Sequence, residues 1–392
     1  MSMSAELNHN VEWDFALELS YESVAPKPST QLPIAQAIGL VLAQDLTSDI
    51  DLPPAHTAMM DGYAVFGPGP WRIVGELHAG SFLPYLDSGC ALKVSTGAHL
   101  PPHASFVIPQ EMATIYDGDV ASKSSFTPNQ HIRQPGDEAQ AGEKIATVGS
   151  ICTPAIAGLA ASSGIDEVSV FQTPTVSIVV TGTELVSSGT PGPGQIRDSL
   201  SVQVGAWAQY LGASVATSCN CTDDLSEIQE AIKSAEGDIV IVTGGSSFGE
   251  HDYLRPALEQ LGAVYLVSEI KMRPGHPTLL AKLPDGKLVA GLPGNPLAAL
   301  VSFMTVVAPA LRGLSGQSEN RITKVAIAKD FACDRTRVVP IVLSSGQAEL
   351  TEFRGSAMLR GLSHADGLGV ISPGENPAGT LIRVLPLPWR VN

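Results

Sequence analysis

Cysteine is scarce in this chain, and the five that occur form no even, regularly spaced framework. A disulfide-stapled secreted domain is excluded as a reading, and the residues read as reduced thiols of a cytoplasmic protein. Cys219 and Cys221 stand as C-x-C without the second pair that a structural zinc site needs. Basic residues are also in deficit: 23 Lys and Arg against 39 Asp and Glu leave a formal net charge of −16. That argues against nucleic-acid or anionic-membrane binding, and any anionic ligand has to be held by local groups against the global field. The N-terminus lacks a basic segment followed by an apolar core, so no signal peptide is expected. The longest apolar stretch, residues 296–311, is interrupted by Ser302, Thr305 and Pro309, and reads as a buried helix too short to span a bilayer. Walker-type and G-x-G-x-x-G phosphate signatures are missing as well.

What is present is length, turns and alternation. A chain of 392 residues with 38 Gly, 29 Pro and 44% hydrophobic residues suggests two to four globular domains joined by loops. Residues 12–24 read as a helix with Trp13, Phe15 and Leu19 on its apolar face. Residues 29–46 read as a capped helix, with Ile34, Ile38, Val41 and Leu42 at helical spacing. Residues 71–145 break into short alternating runs separated by Gly, Pro and Asp, the pattern of a compact β module. A small-residue helix over 153–164 and a strand over 167–171 follow. Residues 175–312 alternate strand and helix, which predicts a central, mostly parallel, doubly wound α/β domain. The last five alternating runs, from Ile322 onward, predict a small C-terminal β-barrel or sandwich. The expected boundaries are 1–52 plus 146–173 for a small, discontinuous N-terminal linker domain, 53–145 for the inserted β-rich module, 174–320 for the α/β domain and 321–392 for the barrel.

The α/β region is organised around residues 239–252. Four β-branched residues, Ile239 to Val242, form a strand suited to burial on both faces, and Thr243, Gly244, Gly245, Ser246 and Ser247 lead into a helix that stops at Gly262. In such sheets ligands bind beyond the carboxyl ends of the strands. Two further strand-end turns share that edge: Thr181, Gly182, Thr183 and Glu184, and Pro293, Gly294, Asn295 and Pro296. Asn295 can cap the following helix, leaving the amides of Leu297 and Ala298 free. Three Gly-containing turns at one sheet edge predict an anion pocket built from backbone amides. Asp198 or Ser199 is expected to cap the helix that ends at Gly212.

TAMMDGYAV, STGAHLPPHASFVIPQE, IRQPGDE, VVTGTEL, GQIRDS, TGGSSFGEHDY, MRPGHP and LPGNP follow one another in order between residues 57 and 296. Their order and spacing resemble the molybdopterin molybdenumtransferase family, which includes the C-terminal region of gephyrin. The resemblance implies an enzyme of molybdenum cofactor biosynthesis that takes adenylated molybdopterin and molybdate, uses Mg²⁺, and releases AMP and the finished cofactor. It also implies an elongated four-domain homodimer, with each active site between the α/β domain of one subunit and the MDGYA-bearing β module of the other. A molybdopterin adenylyltransferase and the molybdoenzymes are the implied partners. Cleaving a phosphoanhydride calls for charge neutralisation by a metal held on carboxylates. Asp61, Glu184 and Asp252 are the metal candidates carried over from those motifs, with Asp198, Asp238 and Glu250 as further carboxylates. Asp61, Asp252, Arg273 and Thr96 are the catalytic candidates. Arg273 stands at a family lysine and is expected to meet phosphate or molybdate; Lys271 is a second candidate anion contact. Thr181 to Glu184, Asp198, Gly244 to Ser246 and Pro293 to Pro296 are the expected pterin-nucleotide contacts.

Several positions depart from that pattern. Thr183 stands where the family has an acid, Ala58 replaces a serine, Leu200 an asparagine, and Glu269 a basic residue. These changes keep a second reading open, a non-catalytic homologue that binds molybdopterin or finished cofactor. A third is a hydrolase of another nucleotide diphosphate.

Overall fold

The computed structural model describes residues 9–81, 85–245, 252–318 and 322–390. Contacts divide the chain into two units, Met1–Thr30 with Phe171–Asn392, and Gln31–Val170.

The first unit is built on a seven-stranded sheet. Its elements in chain order are β1 (His9–Val11), α1 (Trp13–Glu22), β2 (Thr175–Thr181), α2 (Leu200–Tyr210), β3 (Ser214–Cys221), α3 (Leu225–Ser234), β4 (Ile239–Thr243), α4 (Leu254–Gln260), β5 (Val264–Ile270), β6 (Leu279–Lys282) and β7 (Leu288–Leu292). The strand order is β1-β5-β6-β7-β4-β2-β3. Only β6 runs against its neighbours, because the β6–β7 connection is a hairpin; the other pairings are parallel. β4 lies at the heart of this sheet. Ile239 and Ile241 enter the core on one face, and Val240 and Val242 enter a separate core on the other. Strand alternation thus explains why an unbroken apolar run is needed there.

α3 shows how the covering helices are specified. Asp224 accepts hydrogen bonds from the amides of Ser226 and Glu227, and Ile228 and Ile232 fall on one buried side. α1 corrects the sequence reading of its face: Trp13, Ala16, Leu17 and Ser20 are buried, while Phe15 is exposed. Trp13 sets that rotation, donating from Nε1 to Thr305 Oγ1 at 3.0 Å. The helix after β7 begins at Pro296 and runs to Leu314 through a π-helical turn at Phe303–Val307. At 19 residues and a mean hydropathy of 1.8 it is long and apolar enough to cross a membrane, so length does not exclude a span. Its place in the fold does: it is 89% buried as a core helix.

The C-terminal strands Thr323–Ile327, Thr336–Ser344, Gln347–Leu350, Gly367–Ile371 and Leu381–Pro386 close into a five-stranded barrel. Met272 and Arg273 add in parallel to its Thr336–Ser344 strand, which ties the barrel to the loop after β5.

The unit of residues 31–170 carries a six-stranded sheet formed by segments 106–109, 62–66, 90–94, 71–77, 119–121 and 114–116, in that spatial order. Its helix Pro154–Ser162 is capped by Thr153, whose Oγ1 accepts from the Ile156 amide. The helix read over 29–46 does not form. Ser29–Pro33 is a strand and only Ile34–Ala37 is helical. Gly39 turns the chain at φ +89°, after which Val41 and Leu42 pair with Ile151 and Val170. Long-range strand pairing overrides the local helical spacing there.

Candidate active site

Beyond the carboxyl ends of β2, β4 and β7 lie two contiguous hollows of about 720 and 520 Å³. Both are walled by Glu184, Gly244, Gly245, Asp252, Gly294 and Asn295. The larger adds Thr181, Gly182, Asp198, Asp223 and Pro296; the smaller adds Arg273, His276, Pro293, Arg335 and Ser356. The three Gly-containing turns therefore do face one cavity, at the sheet edge where the topology predicts it.

Gly244 makes the convergence possible. It sits at φ +89°, and a Cβ there would lie 2.7 Å from Thr181 Oγ1 and 2.9 Å from the Thr181 carbonyl oxygen. Thr181 Oγ1 donates to the Thr243 carbonyl at 3.1 Å, and the Gly244 amide donates to the Leu292 carbonyl at 3.0 Å. The turns are thus bonded to one another. The amides of Leu297 and Ala298, expected to be free, are not: both donate to the Ser356 carbonyl, at 2.9 and 3.2 Å. Asn295 makes no side-chain cap on that helix. An acceptor more than fifty residues further along the chain was invisible to local reading. The amides of Leu297 and Ala298 at the positive end of this helix are thus satisfied inside the fold.

The side chains of the cavity carry both signs. Glu184, Asp198, Asp223 and Asp252 line the larger hollow together with Arg197, and Glu184 and Asp252 also reach the smaller one. Asp198 is buried, and its Oδ1 accepts from the Leu200 and Ser201 amides, so it does cap α2. Thr183 does not line the cavity wall; its amide and hydroxyl both bond Asp223 Oδ2, at 2.9 and 3.1 Å. The smaller hollow adds the guanidinium groups of Arg273 and Arg335 and the imidazole of His276. Arg335 is paired with Asp334, holding that carboxyl below the ordinary range. Arg337 faces Arg273 in register; burial first, and then the Arg273 guanidinium, push it below the ordinary guanidinium range. His276 meets the Ile270 carbonyl through Nδ1 at 2.8 Å and Glu269 through Nε2 at 3.7 Å. Glu269 itself is buried at φ +72° and reaches His9 at 3.2 Å, which accounts for an acid at that position.

Other candidates lie elsewhere. Lys271 is bonded to Glu12 at 2.6 Å on the surface. Asp238 lies at the start of β4, opposite the cavity end, bonded by Lys27 and by the Thr175 amide and hydroxyl. Ser246 and Glu250 fall outside the described residues. Asp61 and Thr96 belong to the unit of residues 31–170 and meet each other there: Asp61 Oδ1 accepts from the Thr96 amide at 2.7 Å and hydroxyl at 2.8 Å. Those two bonds, the amide first, hold the Asp61 carboxyl below its ordinary range.

Three stretches of the chain match family models: residues 11–164 the MoeA N-terminal region (domain I and II), residues 177–313 a probable molybdopterin binding domain, and residues 324–387 the MoeA C-terminal region (domain IV). Molybdopterin molybdenumtransferase 2 of Mycobacterium tuberculosis is 33% identical over 311 residues, spanning 74% of this chain and 76% of that protein. The chain belongs to the MoeA family. A molybdopterin molybdenumtransferase of Haemophilus influenzae is likewise 33% identical, over 304 residues and 75% of each chain. The crystal structure of a molybdopterin biosynthesis MoeA protein from Pyrococcus horikosii superposes with a TM-score of 0.77 at 27% identity, covering 97% of this chain and 100% of that one.

Within this MoeA-family cavity, five polar residues were not singled out from the sequence: Arg197, Asp223, His276, Arg335 and Ser356. Arg197 and His276 lay inside the quoted GQIRDS and MRPGHP motifs, so both carried a signal. Arg335 and Ser356 reach the cavity from the barrel and carried none.

Proposed function

We propose that this chain is a molybdopterin molybdenumtransferase, which takes adenylated molybdopterin and molybdate, cleaves the phosphoanhydride and releases AMP and the molybdenum cofactor. One observation carries the reading: in a protein of net charge −16, a cavity at the strand ends gathers Arg197, Arg273 and Arg335 beside Glu184, Asp223 and Asp252. Three guanidinium groups gathered at one cavity of an acidic protein suit a polyanionic ligand, since the global field opposes its approach and local groups have to hold it. The facing carboxylates are hard oxygen donors of the kind Mg²⁺ takes.

No group of three metal-ligating side chains is close enough to form a complete cage among the described residues. Mg²⁺ does not need one, because it is commonly held by one or two carboxylates together with substrate phosphates and water. Glu184, Asp223 and Asp252 fit that role. When bound, the ion would neutralise charge developing on the phosphoryl oxygens. The chain's own work is then to hold and orient. Arg273 and Arg335 hold the anionic end of the substrate, and the glycine turns admit it close to the backbone at Gly244 and Gly245. Asp61, its carboxylate fixed by Thr96, is proposed to act in the same reaction as an acceptor for a proton or for the metal.

The resemblance further supports a cytoplasmic homodimer that receives its pterin from a molybdopterin adenylyltransferase and serves molybdoenzymes. The test is to mix purified protein with adenylated molybdopterin, molybdate and Mg²⁺, and to follow AMP release and molybdenum incorporation. AMP release coupled to incorporation is the expected result; tight substrate binding with neither product refutes the proposal.

A further inference from the structure

We propose that Thr183 is a positioning residue, which aims the Asp223 carboxylate into the cavity. The inference rests on the reading of that cavity as a metal- and phosphate-handling site, and concerns a residue outside its wall.

The geometry is a closed clasp between the turn after β2 and the turn after β3. The Thr183 amide and hydroxyl both donate to Asp223 Oδ2, at 2.9 and 3.1 Å, and the Asp223 amide donates back to Thr183 Oγ1 at 3.3 Å. The hydroxyl is therefore fixed as donor and acceptor at once. Asp223 is half-buried at the cavity wall, and Oδ2 is occupied by the clasp. Oδ1 has no protein partner among the described residues and is the atom left for a ligand. A carboxylate that would otherwise sample several rotamers is held in one, so a ligand does not have to order it on binding.

The chemistry of position 183 follows. An acid there would set two carboxylates within contact of each other, where like charges disfavour joint ionisation. Threonine supplies two donors and no charge. Thr183 is thus the complement of an acid already supplied by the neighbouring turn. The clasp therefore predicts that placing an acid there with Thr183→Asp lowers turnover.

The test uses the full chain and five variants: Thr183→Ser, Thr183→Val, Thr183→Asp, Asp223→Asn and the double variant Thr183→Val with Asp223→Asn. Mn²⁺ binding is measured by electron paramagnetic resonance in the presence of AMP, alongside the metal half-saturation of AMP release and the unfolding temperature. Thr183→Ser should stay within about twofold of wild type, while Thr183→Val should weaken Mn²⁺ binding about tenfold, as loss of an outer bond to a ligating group does. Thr183→Asp should be weaker still. In the Asp223→Asn background the Thr183→Val effect should vanish, which a general structural role would not produce. Equal Mn²⁺ affinity for wild type and Thr183→Val overturns the inference, as does higher affinity or turnover for Thr183→Asp. If the wild type binds Mn²⁺ with AMP but never releases AMP from adenylated molybdopterin, the proposed function falls, and the Mn²⁺ comparison still decides the role of Thr183.

Discussion

Gly244→Ala is the substitution that most directly tests how the cavity is assembled. The residue sits in the left-handed region at φ +89°, where a side chain costs roughly 1–2 kcal/mol of backbone strain. The new methyl would meet Thr181 Oγ1 at 2.7 Å and the Thr181 carbonyl oxygen at 2.9 Å, and the second of these is backbone that cannot swing aside. Overpacking of this kind adds about 1–3 kcal/mol. The combined cost, about 2–5 kcal/mol, is a large share of a typical folding free energy. Gly212→Ala supplies the control. Gly212 has nearly the same φ, +80°, but nothing lies within 4 Å of its Cβ position, so only the strain applies. Urea unfolding of both variants, read by far-ultraviolet circular dichroism, should show Gly244→Ala less stable than Gly212→Ala by about 1–3 kcal/mol. Because the turn also forms the cavity wall, AMP release should fall by at least about tenfold in Gly244→Ala and stay near wild type in Gly212→Ala. Equal stability of the two variants would refute the argument that the turn after β4 closes against Thr181.

Further expectations concern charge. Asp61→Asn should lower AMP release about 100-fold with little change in unfolding midpoint. Because Thr96 holds the Asp61 pKa down, the carboxylate's contribution is complete above the ordinary aspartate value and is lost only as pH falls through the depressed one; Thr96→Val should therefore move the acid limb of the pH–rate profile upward. Arg273→Ala should raise KM for adenylated molybdopterin about tenfold or more, read from initial rates of AMP release. Burial pushes the Asp238 carboxyl up, but its bonds to Lys27 and Thr175 prevail and hold it below the ordinary range. The stability it contributes is present above the ordinary aspartate pKa and is lost as pH falls through the lowered one. Lys27→Met should cost about 2–3 kcal/mol in urea unfolding at neutral pH, below the fully buried range because the pair keeps some solvent contact, and Lys27→Met with Asp238→Asn should recover part of it.

Much of the fold could be read from the chain because its signals were local. Ile239 to Val242 announced a strand buried on both faces, and alternation identified all five barrel strands. Gly212 and Gly262 marked helix ends where the structure has them. The three turns converged because strand topology, a general rule, decides which edge they share. What escaped were features decided by distant partners. The helical spacing of Ile34, Ile38, Val41 and Leu42 was real but lost to pairing with Ile151 and Val170. The β6–β7 hairpin breaks the strand–helix alternation read over 175–312, although Asp285 and Gly286 mark its turn. Thr183 looked like a lost carboxylate because Asp223, forty positions on, is not its neighbour in sequence.

The contact between Ser356 and the amides of Leu297 and Ala298 has a consequence for how this protein is damaged. A helix terminus that might have served as a fixed anion site serves instead as the seat of the barrel. Arg335 comes to the cavity on the barrel, and Arg273 comes from the loop that joins the barrel's strand. On the proposed function, ligand recognition is a property of a seam, not of either part alone. A lesion that loosens the barrel, even one far from the cavity, would register first as lost affinity in a chain that is still folded.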